Sequence, residues 1–369
     1  MTKRRFLLLA APILAVALVA LHGLTAPPMA AEKLPLKLTN QEFWKLATDF
    51  SEPDGTFHSE NLVSNEARFQ YVLPMLTERA KPGRAYMGVG SEQNFTYIAA
   101  LRPSIAFIVD IRRGNLDLHL LYKALFELST DRADFVSRLF SKARPAGLGP
   151  ASTAKQIFAA YATVPTSRTL YDRNLKAVEN HLVTTHGLSL SRGDLGGIEF
   201  VYSNYFTDGP DIHYQLNTGG GRGGPGGFPT YADLMVATDT AGRARSYLAT
   251  EEAFAFLKDL ETRNMLVPVV GNFAGPKAIR AVGAYLKQKE QIVSAFYVSN
   301  VEQYLRQDGI WNQFCTNVTT LPLDATSTFI RSTRGGFGGF GRQAFGGGPG
   351  GFASDLGPMV PEVSAGCGR

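Results

Sequence analysis

Residues Arg84 to Arg113 read RAYMGVGSEQNFTYIAALRPSIAFIVDIRR. Within them, the stretch Gly88 to Asp110 restricts the fold more than any other part of the chain. A short apolar strand over Arg84 to Val89 runs into the turn Gly88-x-Gly90. A helix follows over Phe95 to Leu101 and stops at Pro103, and Ile105 to Ile111 is then almost continuously apolar. An unbroken apolar strand needs both faces covered, which is the situation in a parallel sheet flanked by helices. Strand, helix and strand at this spacing predict a parallel pair joined by a right-handed crossover. The turn has chemical consequences as well. Its glycines let backbone N–H groups approach a ligand, and the helix start offers unsatisfied N–H groups and a positive dipole end. Asp110, 22 residues after Gly88, stands where an acid takes ribose hydroxyls in nucleotide-binding sheets.

The candidate cofactor-binding residues are therefore Gly88, Gly90, Glu92, Asn94, Asp110 and Arg112. Glu92 and Asn94 open the helix after the turn, where they either line a ligand or cap the helix. Arg112 and Arg113 either pair with an anionic group, on a ligand or on Asp110, or are simply solvated. The third glycine of a dinucleotide fingerprint would be residue 93, and Gln93 stands there. Its bulk crowds a pyrophosphate and points to a ligand without a diphosphate bridge.

The same alternation returns near the end of the chain. Leu266 to Val270 and Ile292 to Val298 read as buried strands, with helices over Pro276 to Gln288 and Val301 to Arg306 and a last strand over Thr326 to Ile330. Asn272, Tyr297, Ser299 and Asn300 fall at or near the ends of those strands, on the edge that carries Gly88, and form a second tier of candidates. For Ser299 or Asn300 the alternative is capping of the next helix. Upstream, Asn40 to Phe50 is an amphipathic helix, and Ser64 caps a helix over Glu66 to Arg79. The polar run Ser59 to Glu66 serves that cap or forms a lid over the crevice. Residues 112 to 265 read as a mainly helical insertion with helices over Leu116 to Leu128 and Asp131 to Phe140 and a strand over Ile198 to Tyr202. The predicted fold is a doubly wound, mostly parallel, Rossmann-like α/β sheet with that insertion.

This combination resembles the class I S-adenosylmethionine-dependent methyltransferase superfamily, in which the first strand ends in a glycine-rich loop and the second in an acid that binds the cofactor ribose. The resemblance places Gly88 and Gly90 on the loop and Asp110 on the ribose, and implies S-adenosylmethionine as cofactor. It makes Leu266 to Arg306 the source of the fourth and fifth strands. Tyr86 and Met87 stand where an acid usually precedes the first glycine, there is no Asn-Pro-Pro-Tyr-type motif, and the section before the Leu266 strand is long. The chain also resembles a family of exported bacterial proteins that share the phrase GVGSEQNFTYIAALRPSIAFIVDIRR, a resemblance that implies no activity.

Composition sets the remaining bounds. Of the 369 residues, 44% are apolar and 19% charged, the balance of a globular chain. Lys3, Arg4 and Arg5 supply three units of the formal charge of +5. Beyond them the balance is weak and dispersed, which excludes a nucleic-acid surface and leaves a small-molecule ligand. Cys315 and Cys367 are too far apart in sequence to suggest a disulfide scaffold or cysteine metal cluster. The six histidines show no metal spacing, and Asp117 and His119, two apart on a helix, face different directions.

Residues 1–31 have a basic start, an apolar run from Phe6 to Leu24, and Ala30-Ala31 after two prolines. This predicts an export signal cleaved after Ala30 or Ala31, and hence a periplasmic or secreted protein. Arg4-Arg5-Phe6-Leu7-Leu8 resembles a twin-arginine signal, and membrane attachment follows only if the leader is retained. Thr218 to Pro229 and Arg334 to Phe352 are glycine-rich tracts. The first predicts a surface loop and the second the start of a disordered tail over 334–369, which puts the folded domain at 32–333. Two functional readings stand. One is an exported methyltransferase-like enzyme of open substrate. The other is a ligand-binding or structural protein that keeps the fold without the reaction, which an exported location favours because the cofactor is made in the cytoplasm. Gly-x-Ser-x-Gly is absent, so no hydrolase motif competes.

Overall fold

The apolar runs become the strands of one sheet in the computed structural model, which describes residues 32–217, 227–334, 343–345 and 352–365. The leader and residues 218–226 of the first glycine tract lie outside the described residues. The strands are β1 (Ala85–Gly88), β2 (Ile105–Asp110), β3 (Leu266–Val270), β4 (Val293–Ser299), β5 (Thr328–Arg334), β6 (Gln343–Phe345) and β7 (Phe352–Pro358). Their order is β3-β2-β1-β4-β5-β7-β6. The pairs from β3 across to β5 are parallel, β7 runs antiparallel to β5, and β6 antiparallel to β7. Every residue of β1, β2 and β3 is buried, as both-face coverage requires. Pro268 sits in β3, where the sheet ends, so its missing N–H breaks no ladder with a further strand. The fold is thus a mostly parallel, doubly wound α/β sheet. The chain leaves β1 toward β2 and β3 on one side and later fills β4 and β5 on the other, which puts the switch point between β1 and β4.

Helices α1 (Asn40–Asp49) and α2 (Leu73–Arg79) precede the sheet, and α3 (Gln93–Leu101) crosses from β1 to β2. Between β2 and β3 lie α4 (Arg113–Leu128), α5 (Arg132–Leu139), α6 (Ala154–Ala162), α7 (Arg168–Asn180), α8 (Arg192–Asp208), α9 (Tyr231–Val236) and α10 (Glu251–Thr262). Then α11 (Ala278–Gln288) joins β3 to β4, α12 (Val301–Gln307) and α13 (Trp311–Val318) lead to β5, and α14 (Met359–Ser364) follows β7. The insertion is fastened to the sheet's own helix through aromatic side chains. Phe95 of α3 meets Tyr122 of α4 at 4.9 Å between centroids, and Phe126 meets Phe135 at 4.8 Å and Phe254 at 5.4 Å.

Several expectations change. Ile198 to Tyr202 is not a strand but the middle of α8. Ile198, Val201, Tyr202 and Tyr205 are buried at helical spacing, and Ser191 and Asp194 form a capping box at its start. The helix expected over Glu66 to Arg79 begins only at Leu73, after a 3₁₀ turn over Phe69–Val72. Pro74 explains the delay, since it suits a first helical turn and would break an interior one. Similarly, α11 starts at Ala278 rather than Pro276, because the Glu52 carboxylate arrives from outside and takes the amides of Lys277 (2.7 Å) and Ala278 (2.9 Å). The Leu266 and Ile292 strands are third and fourth in chain order, not fourth and fifth.

The disordered tail is also corrected over its described part. Residues 352–358 form β7, Leu356 is fully buried opposite Ile330, and the Met359 amide bonds Ser327 O at 2.9 Å. Glycine dominates only as far as residue 351. Beyond it the chain carries Leu356 and Met359, enough apolar surface to join the core.

Candidate cofactor cleft

A cleft of about 710 Å³ opens where β1, β2, β3 and β4 end. In an open α/β sheet, ligands bind outside the carboxyl ends of the strands at the switch point, and the volume lies within the usual range for small-molecule sites. Of the candidates read from sequence, Gly90, Asp110, Asn272, Tyr297, Ser299 and Asn300 line it, whereas Gly88, Glu92, Asn94 and Arg112 do not.

The second group is committed to the protein itself. The Asn94 carboxamide lies against Gly88, where a Cβ would come within 1.9 Å of Asn94 Oδ1. Asn94 donates to the carbonyls of Val89 and Ser91, both at 2.8 Å, and accepts from the Tyr86 hydroxyl at 2.9 Å. Gly88 is therefore glycine to admit Asn94, not to admit a ligand. Glu92 makes no capping bond with its side chain. It is fully buried, and Oε1 receives the Ser64 amide at 3.1 Å. The Arg112 guanidinium pairs with the side chain and carbonyl of Glu60. Arg113 pairs with Asp194 at 2.8 Å. The hydrogen bonds of both arginine side chains go to these partners rather than to Asp110.

Gly90 is set differently. Its φ of +78° is the left-handed region that glycine favours, and its carbonyl is fixed by Asn115 Nδ2 at 2.8 Å and His119 Nε2 at 2.9 Å. Burial pushes the His119 imidazole down to about 4, so it holds this carbonyl as a neutral donor. Asp110 accepts the Arg112 amide at 3.0 Å, is 5% exposed and lines the cleft. Burial raises its pKa, and the Arg112 charge with the Arg112 and Gly90 amides works against that rise.

The polar run Ser59 to Glu66 proves to be a wall of the cleft, contributing Asn61, Ser64, Asn65 and Glu66. Glu66 is the junction. Oε1 receives the hydroxyls of Tyr297 and Ser299, each at 2.7 Å, and Oε2 receives Gln93 Nε2 at 2.9 Å. Gln93 thus fills the third-glycine position with a buried side chain that braces the wall, and Ser299 is occupied by Glu66 rather than by a helix cap. Asn61 and Ser299 both hold positive φ, 47° and 48°, a strain that persists where surrounding structure enforces it.

The outer walls were not legible as site residues. Phe57, His58, Tyr214, Phe228 and Tyr304 line the mouth. The Phe57 and His58 rings lie 4.0 Å apart, and Phe57 packs edge-on to Tyr304 at 5.4 Å. These residues come from loops and from α12, with no shared motif or spacing to link them. Among the described lining residues there is no lysine or arginine, while Glu66, Asp110 and Asp308 supply carboxyl groups. Elsewhere, Glu127, His181 and His186 come together as ligand-type side chains, which the histidine spacing did not predict.

No curated protein matches the chain. Among solved structures, the rRNA methyltransferase aviRa from Streptomyces viridochromogenes aligns over 91% of this chain and 89% of its own, with 10% identity and a TM-score of 0.30. A score of that size carries no weight, and the fold assignment rests on the strand order above. Residues 61–195 and 199–346 match the DUF7790 family, described as a domain of unknown function, and the chain belongs to that family.

Proposed function

We propose that the cleft binds S-adenosylmethionine and that the protein is methyltransferase-like, acting on a small-molecule acceptor. The observation that carries this reading is Asp110, a buried carboxyl at the end of β2, facing a cleft whose described lining has carboxyl groups and aromatic faces but no basic side chain. Such a lining disfavours phosphates and suits a cation. When bound, the cofactor supplies an electrophilic methyl group on a positively charged sulfonium. Asp110 accepts the ribose hydroxyls. The Gly90 turn brings backbone close to the ligand. Phe57 and Tyr304 offer aromatic surface at the mouth, and His58 is the one histidine among the described lining residues. Burial lowers the His58 pKa, so it is neutral at pH 7 and able to accept a proton.

Calorimetry of the full chain with S-adenosylmethionine tests the proposal. One equivalent binds, and Asp110→Asn weakens it about 10- to 100-fold, the loss of a charge-assisted hydrogen bond worth about 1.5–3 kcal/mol. No saturable binding, or binding indifferent to Asp110→Asn, overturns it. Binding without methyl release toward any acceptor would support the non-catalytic reading of the same cleft.

A further inference from the structure

Glu127, His181 and His186 meet within the helical insertion, and none of them lines the cleft. Glu127 lies in the last turn of α4, and the two histidines bracket a π turn, His181–Thr185, that extends α7. In an α-helix, residues five apart point about 140° away from each other. Here the His186 amide closes back on His181 O at 2.9 Å, and that wider turn brings the rings to 4.8 Å between centroids. This is why sequence spacing hid the pair. Both Nε2 atoms reach one oxygen, Glu127 Oε2, at 2.6 Å from His181 and 2.7 Å from His186. The ligand-type atoms of the three residues all lie within 4.8 Å of one another, and the side chains are 8–16% exposed.

The surrounding hydrogen bonds decide what each atom offers. Asn264 Nδ2 donates to Leu38 O at 3.0 Å and to Asn40 Oδ1 at 2.9 Å, while Asn40 Nδ2 faces Thr185 O at 3.4 Å. Asn40 Oδ1 is therefore an acceptor, and His186 Nδ1, 3.0 Å from it, carries the hydrogen. His186 Nε2 is then the nitrogen turned to the carboxylate oxygen, at 2.7 Å, and either a proton or a metal ion must lie between them. Lys123 takes the other carboxylate oxygen, Oε1, at 2.7 Å and leaves Oε2 for the histidines. Outer groups that fix the histidine tautomer and orient the carboxylate are the usual surroundings of metal ligands.

We infer that Glu127 Oε2, His181 Nε2 and His186 Nε2 bind a divalent first-row transition metal ion of the zinc class. Two imidazoles and a carboxylate suit zinc, and three protein ligands leave a position for water. Calcium and magnesium call for all-oxygen sites and are disfavoured. The ion ties the end of α4 to the π turn, with α1 in the outer shell through Asn40.

The test uses the untagged full chain, stripped with chelator, and titrates it with Co²⁺ followed by Zn²⁺. One equivalent of Co²⁺ gives the visible band of a low-coordinate site, and Zn²⁺ displaces it. Asn40→Ala weakens binding about 10- to 100-fold, and the His181→Ala/His186→Ala pair abolishes it. His186→Cys keeps a ligand and adds a thiolate charge-transfer band, which preserves the test should the double variant fail to fold. Absence of one-equivalent binding by the stripped wild-type chain overturns the inference, as does a His186→Cys spectrum without thiolate character.

Discussion

Replacing Glu92 with glutamine reads out how the back wall of the cleft is held. The Glu92 side chain has no exposure. Oε1 receives the Ser64 amide, and Oε2 has no hydrogen-bond partner. Burial pushes the carboxyl from 4.5 up to about 7, against the opposing pull of the Ser64 amide, the Ser91 hydroxyl and the helix-start backbone. The native state therefore holds this proton about 3 kcal/mol more tightly than the unfolded chain does. For an acid whose folded pKa is raised, that stability is complete below the unfolded pKa and is lost as pH rises through the folded one. The window here runs from about pH 4.5 to about pH 7. Glu92→Gln keeps the shape and the acceptor for Ser64 but stays neutral throughout. Between pH 5 and pH 8 the wild-type protein should lose about 2–3 kcal/mol of unfolding free energy relative to the variant. Asp117 and Glu261, pushed up first of all by burial to about 7 and about 8, titrate in the same range. Both proteins contain them, so the difference between the two isolates residue 92. Urea unfolding at pH 5, 6, 7 and 8, without ligand, measures it. Parallel stability curves for the two proteins would refute the reasoning.

Two further outcomes follow. Leu356→Ala should cost about 2–5 kcal/mol in urea unfolding, as for other buried leucines. A loss below about 1 kcal/mol would show that β7 adds little to the core. The leader reading predicts that protein recovered from the periplasm of an expressing bacterium begins at Ala31 or Glu32 by N-terminal sequencing. A chain retained in the membrane with Met1 in place would show instead that the leader is kept.

How much was legible in the sequence depended on whether the signal was local. The β1–α3–β2 unit and Asp110 could be read because a both-faces-buried strand, a glycine turn and a helix start each leave marks within a few residues. The Leu266 and Ile292 strands were readable on the same ground. Ile198 to Tyr202 misled because a short apolar run does not by itself distinguish strand from buried helix. Only the capping box at Ser191 and the extension of the pattern to Tyr205 decide for α8. The mouth of the cleft was illegible for another reason. Phe57, Tyr214 and Tyr304 are brought together by tertiary packing of segments more than 80 residues apart, and nothing within any one segment marks it as part of a site. The glycine tract hid β7 because a composition signal over 334–351 was extended past its end.

The polar residues around the Gly88 turn divide by what their atoms are doing, and the division bears on what the cleft prefers. Asn94, Glu92, Gln93 and Arg112 have their polar groups turned into the protein, where they fix the turn, the α3 start and the Ser59–Glu66 wall. Asn115 and His119 do the same from α4, the first helix of the insertion. The insertion is thus part of the site's framework, since the helix that begins it grips the Gly90 carbonyl and the amide preceding it holds Asp110. Groups locked in this way need no reordering when a ligand enters, which lowers the cost of binding. The described lining they leave is in part acidic and aromatic, and the two arginines that follow Asp110 in the chain, Arg112 and Arg113, are paired with Glu60 and Asp194. A cleft with Asp110 in its lining and no lysine or arginine among its described lining residues is the electrostatic setting that the proposed sulfonium cofactor calls for.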